Sequence, residues 1–204
     1  MTEPYDDDAG RPVPLRPFGV GLVVLGGIGL LAAFTLVVDK VRLLEDPSYT
    51  PSCNFNPVLS CGSVMRTDQA SVFGFPNPLL GLVGFSVVVT VGVVLATGTR
   101  VPGRLLTGLA GGAALGLAFV HWLAFQSLYR INALCPWCLV VWAVTIPIAV
   151  WSVLVALRVN LPDGRGRRVA EAVWSVRYLV VLAWYLLVVV LALVRFWDYW
   201  STLG

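Results

Sequence analysis

Five long apolar runs dominate the chain, at residues 18–38, 78–96, 105–128, 136–157 and 178–194. Each approaches the roughly 20 residues a helix needs to cross the hydrocarbon core of a bilayer. None alternates apolar and polar positions as membrane barrel strands do, so the runs predict helices. The largest segment between them covers residues 39–77. Part of it, residues 62–76, predicts a short amphipathic helix. Val64, Met65, Val72, Phe73 and Phe75 would face the membrane, and Arg66, Asp68 and Gln69 water. Residues 1–17 carry Glu3, Asp6, Asp7 and Asp8, then Pro12, Pro14 and Pro17, which predicts a disordered polar tail. That lead-in is too long and acidic for a cleaved signal peptide, and the apolar run after it is too long for a signal core. The stretch LPDGRGRR after the fourth run predicts a turn-rich connection. Gly108, Gly112 and Gly116 recur at every fourth position of the third run, and Gly81, Gly84 and Gly92 mark the second. Small residues let membrane helices approach closely, so these glycines predict packing contacts. The expected fold is all-α and membrane-embedded, with one domain at residues 18–204.

Composition narrows the class. Of 204 residues, 58% are hydrophobic and 12% charged, against roughly 45–50% and about 25% in soluble domains. Mean hydropathy is +0.84. Too little polar surface remains for an ordinary soluble enzyme, and the chain is too apolar to be disordered. Net charge is +3 with no long basic run, which argues against nucleic-acid binding. With the N-terminus in the cytoplasm, the inner segments carry Arg11, Arg16, Arg100, Arg104, Arg158, Arg165, Arg167, Arg168 and Arg177. The outer ones carry only Lys40, Arg42, Arg66, Arg130 and Arg195. That bias predicts a multi-pass plasma-membrane protein with residues 39–77 outside. Asp39, Lys40 and Arg42 end the first span and read as interfacial anchors. His121 lies inside the third span. An intramembrane ionisable group is a functional candidate by default, but with no partner visible it reads as a hydrogen-bonded structural histidine.

The expected topology puts all four cysteines, Cys53, Cys61, Cys135 and Cys138, on the oxidising side of the membrane. Cys135-Pro136-Trp137-Cys138 opens a predicted helix. Pro136 suits the first helical position, and Cys135 just before it meets the positive helix end, which favours a thiolate. Cys138 lies three residues further in, roughly 4.5 Å deeper at 1.5 Å per residue. Cys135 is therefore placed to meet a partner at the water interface, and Cys138 a lipid-soluble oxidant. Cys53 and Cys61 sit among Asn54, Asn56, Pro57, Ser60 and Gly62, a turn-rich and mobile setting. A mobile pair beside a fixed pair reads as a redox relay. A zinc site is disfavoured by the Cys53 to Cys61 spacing and the lone histidine. Purely structural disulfides are disfavoured because a C-x-x-C bridge closes almost no loop.

Three motifs carry a resemblance. Cys53-Asn-Phe-Asn-Pro-Val-Leu-Ser-Cys61, Val72-Phe-Gly-Phe-Pro-Asn-Pro-Leu-Leu-Gly81 and the late Cys135-Pro-Trp-Cys138 together resemble the vitamin K epoxide reductase family, in bacterial and specifically actinobacterial form. The resemblance covers roughly residues 18–157. It implies a four-helix bundle around a quinone, with a fifth transmembrane helix at its side. It implies that Cys135 and Cys138 are the catalytic pair, with Cys138 nearest the quinone. Cys53 and Cys61 would then be the relay pair, Cys61 forming a transient mixed disulfide with Cys135. Asn77 matches the asparagine that hydrogen-bonds a quinone carbonyl. Trp142 stands where animal members often have tyrosine, and Leu80 where they often have an aromatic residue, which leaves vitamin K epoxide open as a substrate. Phe73 and Phe75 are candidate ring contacts in compensation. The implied quinone is menaquinone, and the implied partner an extracytoplasmic thioredoxin-fold (DsbA-like) protein on a separate chain. That partner would be re-oxidised in support of disulfide bond formation.

Two other classes compete. A non-catalytic membrane scaffold would hold two static disulfides. A transporter would show inverted repeats and charges within its spans, and neither is evident. A different four-helix, four-cysteine quinone-linked oxidase has its active pair near the chain start, the reverse of the order here.

Overall fold

The computed structural model describes residues 15–201. The expected tail lies largely outside them, and the chain is already helical at Leu15, three residues before the apolar run. In chain order the helices are α1 (Leu15–Glu45), α2 (Cys61–Met65), α3 (Pro78–Ala96), α4 (Gly103–Gln126), α5 (Pro136–Asn160), α6 (Arg165–Ser175), α7 (Arg177–Arg195) and α8 (Trp197–Trp200). Five of them, α1, α3, α4, α5 and α7, are long and apolar enough to cross a membrane. This is an all-α, multi-pass membrane architecture.

Local chemistry sets the helix starts. Pro78 and Pro136 each open a helix, where a missing N–H costs nothing. Pro147 lies inside α5, a position membrane helices tolerate when neighbours re-satisfy the freed backbone. The apolar run does not end α1, which continues past Val38 to Glu45. Leu36, Asp39 and Leu43 follow helical spacing on one face of this extension, and all three are buried. The extension therefore stands as a post against which the loop of residues 46–77 folds.

Two of the expectations for the connecting segments change. Residues 62–76 form no continuous amphipathic helix. They split into α2, a 3₁₀ turn at Asp68–Ser71 and further turns, and Met65 is buried rather than lipid-facing. Of LPDGRGRR, only the first four residues are loop. The RGRR portion begins α6, where Arg167 pairs with Asp163 (3.1 Å) and Glu171 (3.5 Å), each one helical turn away. Trp174 of α6 lies between the guanidinium groups of Arg158 (4.9 Å) and Arg177 (4.4 Å).

The glycines divide into two populations. On the α1–α3 interface they are contacts, as expected. A Cβ on Gly19 would lie 2.5 Å from the Ala96 backbone nitrogen, one on Gly29 would collide with the Phe85 ring, and one on Gly92 would lie 2.9 Å from Leu22. On α4 the expectation fails. A Cβ on Gly108, Gly112 or Gly116 would meet nothing within 4 Å, and the same holds for Gly84 on α3. The cause is topological: α4 packs on α5, α3 packs on α1, and α3 and α4 scarcely touch. The glycine stripe of α4 borders open space between them.

The last spanning helix, α7, joins the bundle through polar bonds. Trp184 Nε1 donates to His121 Nε2 at 2.9 Å, and the other ring nitrogen of His121 lies 2.8 Å from the Leu117 carbonyl. His121 is thus the Nδ1–H tautomer with both nitrogens engaged, the structural role expected of it, with its partner now visible. The Tyr185 hydroxyl donates to the Ala143 carbonyl.

The glycine division is testable by thermal unfolding in detergent. Gly19→Ala should destabilise by about 1–3 kcal/mol through overpacking against backbone. Gly112→Ala should stay within about 0.5 kcal/mol of the parent, as at an uncrowded surface.

Candidate functional site: a disulfide and two thiols above an apolar cavity

Side-chain amides shape the loop. Asn56 Oδ1 accepts from the backbone N–H groups of Val58 (3.0 Å) and Leu59 (2.7 Å), closing an Asx turn. Asn54 Oδ1 accepts from the Gly62 N–H at 2.9 Å, and Ser60 Oγ caps α2 by accepting from the Ser63 N–H. The loop is anchored to its surroundings as well. Lys40 Nζ donates to the Met65 carbonyl at 2.6 Å, and Arg66 Nη2 donates to the carbonyls of Pro47 and Tyr49. A segment expected to be mobile is bonded at both ends and in its middle.

One short pairing joins the loop to the start of α5. The Leu134 N–H donates to the Val58 carbonyl (2.7 Å), and the Ser60 N–H donates to the Leu134 carbonyl (2.9 Å). These are the two bonds of a parallel bridge between Leu59 and Leu134. Cys61 follows Ser60 and Cys135 follows Leu134, so the bridge carries the two sulfurs side by side. Cys61 is bonded to Cys53 with an S–S distance of 2.07 Å. Cys135 and Cys138 are free thiols. Cys135 Sγ lies 3.1 Å from Cys61 Sγ. Cys53, Cys61 and Cys135 are buried.

Cys135 is the N-cap of α5. A hydrogen bond from the Cys138 side chain holds its thiol below the ordinary cysteine range, with burial working against that shift and the backbone N–H groups of Cys138 and Trp137 adding to it. The sign favours thiolate at the sulfur that faces the loop disulfide.

Beneath the sulfurs lies a cavity of about 650 Å³. Its wall includes Cys135, Cys138, Asn77, Leu80, Trp142 and Phe119, and it continues along Gly116, Gly112 and Gly108 to Arg104. Of the aromatic residues singled out from sequence as ring contacts, neither Phe73 nor Phe75 is in this wall; both are exposed, and the Phe73 ring meets Phe75 (6.2 Å) and Phe119 (5.8 Å). Asn77 is buried in the wall, and its side chain ties down the preceding turn: Nδ2 donates to the Gln69 carbonyl at 2.7 Å and Oδ1 accepts from the Val72 N–H at 3.1 Å. Trp142 packs its ring against His121 and Tyr185, and its indole N–H has no partner among the described residues.

Sequence reasoning missed Asp39 and Tyr49. Asp39 is buried, accepts from the Tyr49 hydroxyl at 2.9 Å, and sets Oδ2 4.0 Å from Cys53 Sγ. The available signal was helical spacing, since Asp39 follows Leu36 by three positions, but it was read as the end of the span.

A disulfide, a facing thiol and a second thiol at the end of an apolar bundle define a membrane protein of thiol–disulfide chemistry. The model of the vitamin K epoxide reductase family matches residues 20–153, well over half of the chain, and the chain belongs to that family of oxidoreductases. Among curated proteins, none matches it.

The electrostatics of Cys135 yield a pH prediction. Cys138→Ala removes the donor that favours the Cys135 thiolate and leaves burial, so the alkylation rate of Cys135 should rise through its midpoint at higher pH. Cys138→Ser keeps a donor and should move that midpoint less. Mass-tag alkylation between pH 5 and 9 measures both.

Proposed function

We propose that the protein passes electrons from an extracytoplasmic thioredoxin-fold dithiol to a membrane quinone through two cysteine pairs. Protein disulfides form outside the cell as a result. The observation that carries this reading is the 3.1 Å approach of Cys135 Sγ to Cys61 Sγ of the loop disulfide, directly above the cavity that Cys138 lines. A disulfide touching a free thiol can exchange with it; two static disulfides would leave no such thiol.

The residues fit a quinone. The cavity volume falls within the roughly 300–1,000 Å³ of small-molecule sites, and its wall is apolar apart from a few polar groups at the cysteine end and Arg104 at the other. The gap between α3 and α4, bordered by the glycine stripe, suits a long apolar tail. A bound quinone, which we take to be menaquinone, would supply a two-electron acceptor soluble in the bilayer. Leu80, Trp142 and Phe119 would enclose its ring, and Phe73 would close the rim through Phe119. An amide nitrogen carries two donors. Asn77 uses one on Gln69, and we assign the other to a quinone carbonyl, where it favours developing negative charge.

The chain's own steps follow from the sulfur order. The partner's thiolate attacks Cys53 and frees Cys61, and the partner's second thiolate then takes over that mixed disulfide and releases Cys53. Cys61 thiolate attacks Cys135 of an oxidised Cys135–Cys138 pair, forming the mixed disulfide and releasing Cys138 as the thiolate that faces the cavity. Cys53 then attacks Cys61, re-forms the loop disulfide and releases Cys135. The arrangement described above, a closed loop pair beside two free thiols, corresponds to the end of that exchange. On the positive-inside bias, this end of the bundle is extracytoplasmic and the N-terminus cytoplasmic.

The decisive experiment is thiol trapping in native membranes, with and without added menadione. Quinone should drive Cys135 and Cys138 into a disulfide, and Cys138→Ser should abolish that while accumulating a Cys61–Cys135 species. If all four cysteines keep one state under every condition and Cys138→Ser leaves quinone reduction unchanged, the protein is the scaffold instead. A second variant tests the cavity. Gly112→Phe should raise the KM for menaquinone about tenfold or more, since about 1.4 kcal/mol of lost binding is a factor of ten, while leaving exchange between the two cysteine pairs intact.

A further inference from the structure

Resting on that reading, we propose that Asp39 is the proton acceptor for Cys53 in the step that re-forms the loop disulfide. Three observations place it there. Asp39 is 5% exposed, so its carboxylate is withdrawn from bulk water in the last turns of α1. Tyr49 holds one oxygen by donating to Oδ1 at 2.9 Å, which turns the other, Oδ2, toward Cys53 Sγ at 4.0 Å. No other acidic side chain among the described residues is hydrogen-bonded or ion-paired near either loop sulfur. Among the surrounding charged groups, Lys40 donates to the Met65 carbonyl and Arg66 to the carbonyls of Pro47 and Tyr49, and Arg42 reaches the Tyr49 hydroxyl at 3.5 Å and lies close enough to interact with both Asp39 and Glu45. Cys135 is the remaining titratable group close enough to feel Asp39.

The need is chemical. Thiol–disulfide exchange requires a thiolate. Cys53 is buried against a carboxylate, where a free thiolate would meet both low polarity and like charge. The reduced Cys53 therefore waits as a thiol, its S–H directed at Oδ2. Before the step, Cys61 is joined to Cys135. The Cys53 proton passes to Asp39 Oδ2, the Cys53 sulfur bonds Cys61 Sγ, and the Cys61–Cys135 bond breaks. Its electron pair leaves on Cys135 as thiolate. One disulfide forms and one breaks, with no outside oxidant, and the proton rests on Asp39. It returns to Cys53 when the partner next expels that sulfur. The same arrangement keeps the two loop cysteines distinct: Cys53 is the one whose sulfur faces the carboxylate, and it acts only when its proton has a destination.

Asp39→Asn is the first test. It is isosteric, retains an oxygen for the Tyr49 hydroxyl and cannot take a proton from a thiol. The full chain in membranes is driven with dithiothreitol and menadione, acid-quenched at intervals from pH 5.5 to 9, and mass-tagged to quantify the Cys61–Cys135 species. In Asp39→Asn that species should decay about 100-fold more slowly than in the parent at pH 6.5, the scale of a lost general base. The deficit should shrink as pH rises toward the thiol range, and Asp39→Glu should restore most of the rate. Equal slowing at every pH, no slowing, or failure of Asp39→Glu to restore the rate overturns the proposal. If Asp39→Asn does not fold, the parent protein decides. Decay that holds its rate well below the thiol range, about pH 8.5, supports an internal acceptor, and decay that tracks thiol ionisation overturns it. A parent that reduces menadione and forms the mixed species while Asp39→Asn behaves identically defeats this proposal alone. A parent that does neither defeats the relay beneath it.

Discussion

Two backbone hydrogen bonds hold the site together. Without the bridge between Leu59 and Leu134, the loop disulfide would belong to a 46–77 segment free of the helix that carries Cys135. A parallel pairing fixes register, and register is what places Cys61, two residues after Leu59, beside Cys135, one residue after Leu134. The loop's other contacts serve that pairing. Asn56 shapes the turn before it, Asn54 and Ser60 shape the helix after it, and Lys40 fixes the far end of α2 to α1. A buried backbone group must be paired somewhere. Here the pairing also brings the two cysteine pairs into contact, so stability of the loop and competence for exchange rest on the same bonds.

The membrane part of the fold depends on an asymmetry of packing. Glycines on α1 and α3 let those helices meet backbone to backbone, closing one side of the bundle. The same residue type on α4 leaves the opposite side open. A side chain there would project into the gap. On the closed side the helices back each other, and on the open side the cavity that Cys138 lines runs along the glycine stripe. Spacing alone does not separate the two uses, because a glycine every fourth residue makes a flat helix face whether or not another helix lies against it.

That ambiguity marks where the sequence was legible. Long apolar runs determine spans under a single dominant constraint, backbone satisfaction in lipid, and the five helices appear where the runs predict them, α1 extended by two turns. The C-x-x-C pair and its place at a helix start were likewise readable, since Pro136 announces the first turn. The 62–76 segment was not. Its apolar residues follow helical spacing, yet Met65 turns inward under the loop and Arg66 bonds backwards to residues 47 and 49, which breaks the helix into short pieces. Asp39 was legible as a charge at a span end but not as a buried partner of Cys53. Its meaning depends on where residues 49 and 53 fold back, a non-local fact. His121 is the converse case: its bland role was readable, and only its partner, Trp184, required three dimensions.

Trp184 points to the part played by α7, which extends beyond the family match at residue 153. That helix buries little of itself, and most of its apolar side chains remain exposed in the manner of a lipid face. What fixes it is polar and specific: Trp184 to His121, Tyr185 to Ala143, and at its end Arg195 to the Leu128 carbonyl and the Asn132 side chain. The last pair matters most for the site. Asn132 adopts the left-handed conformation (φ 56°) that turns the chain from the π-helical turn Ser127–Ile131, which follows α4, into residues 133–135. Arg195 holds that turn by bonding the Leu128 carbonyl one turn earlier and the Asn132 side chain. The segment that presents Leu134 to the bridge and Cys135 to Cys61 is thus braced on one side by the loop and on the other by α7. An apolar helix alone would slide against its neighbours in lipid, where burial provides little drive. A helix fixed at three polar points holds the turn before Cys135 in place.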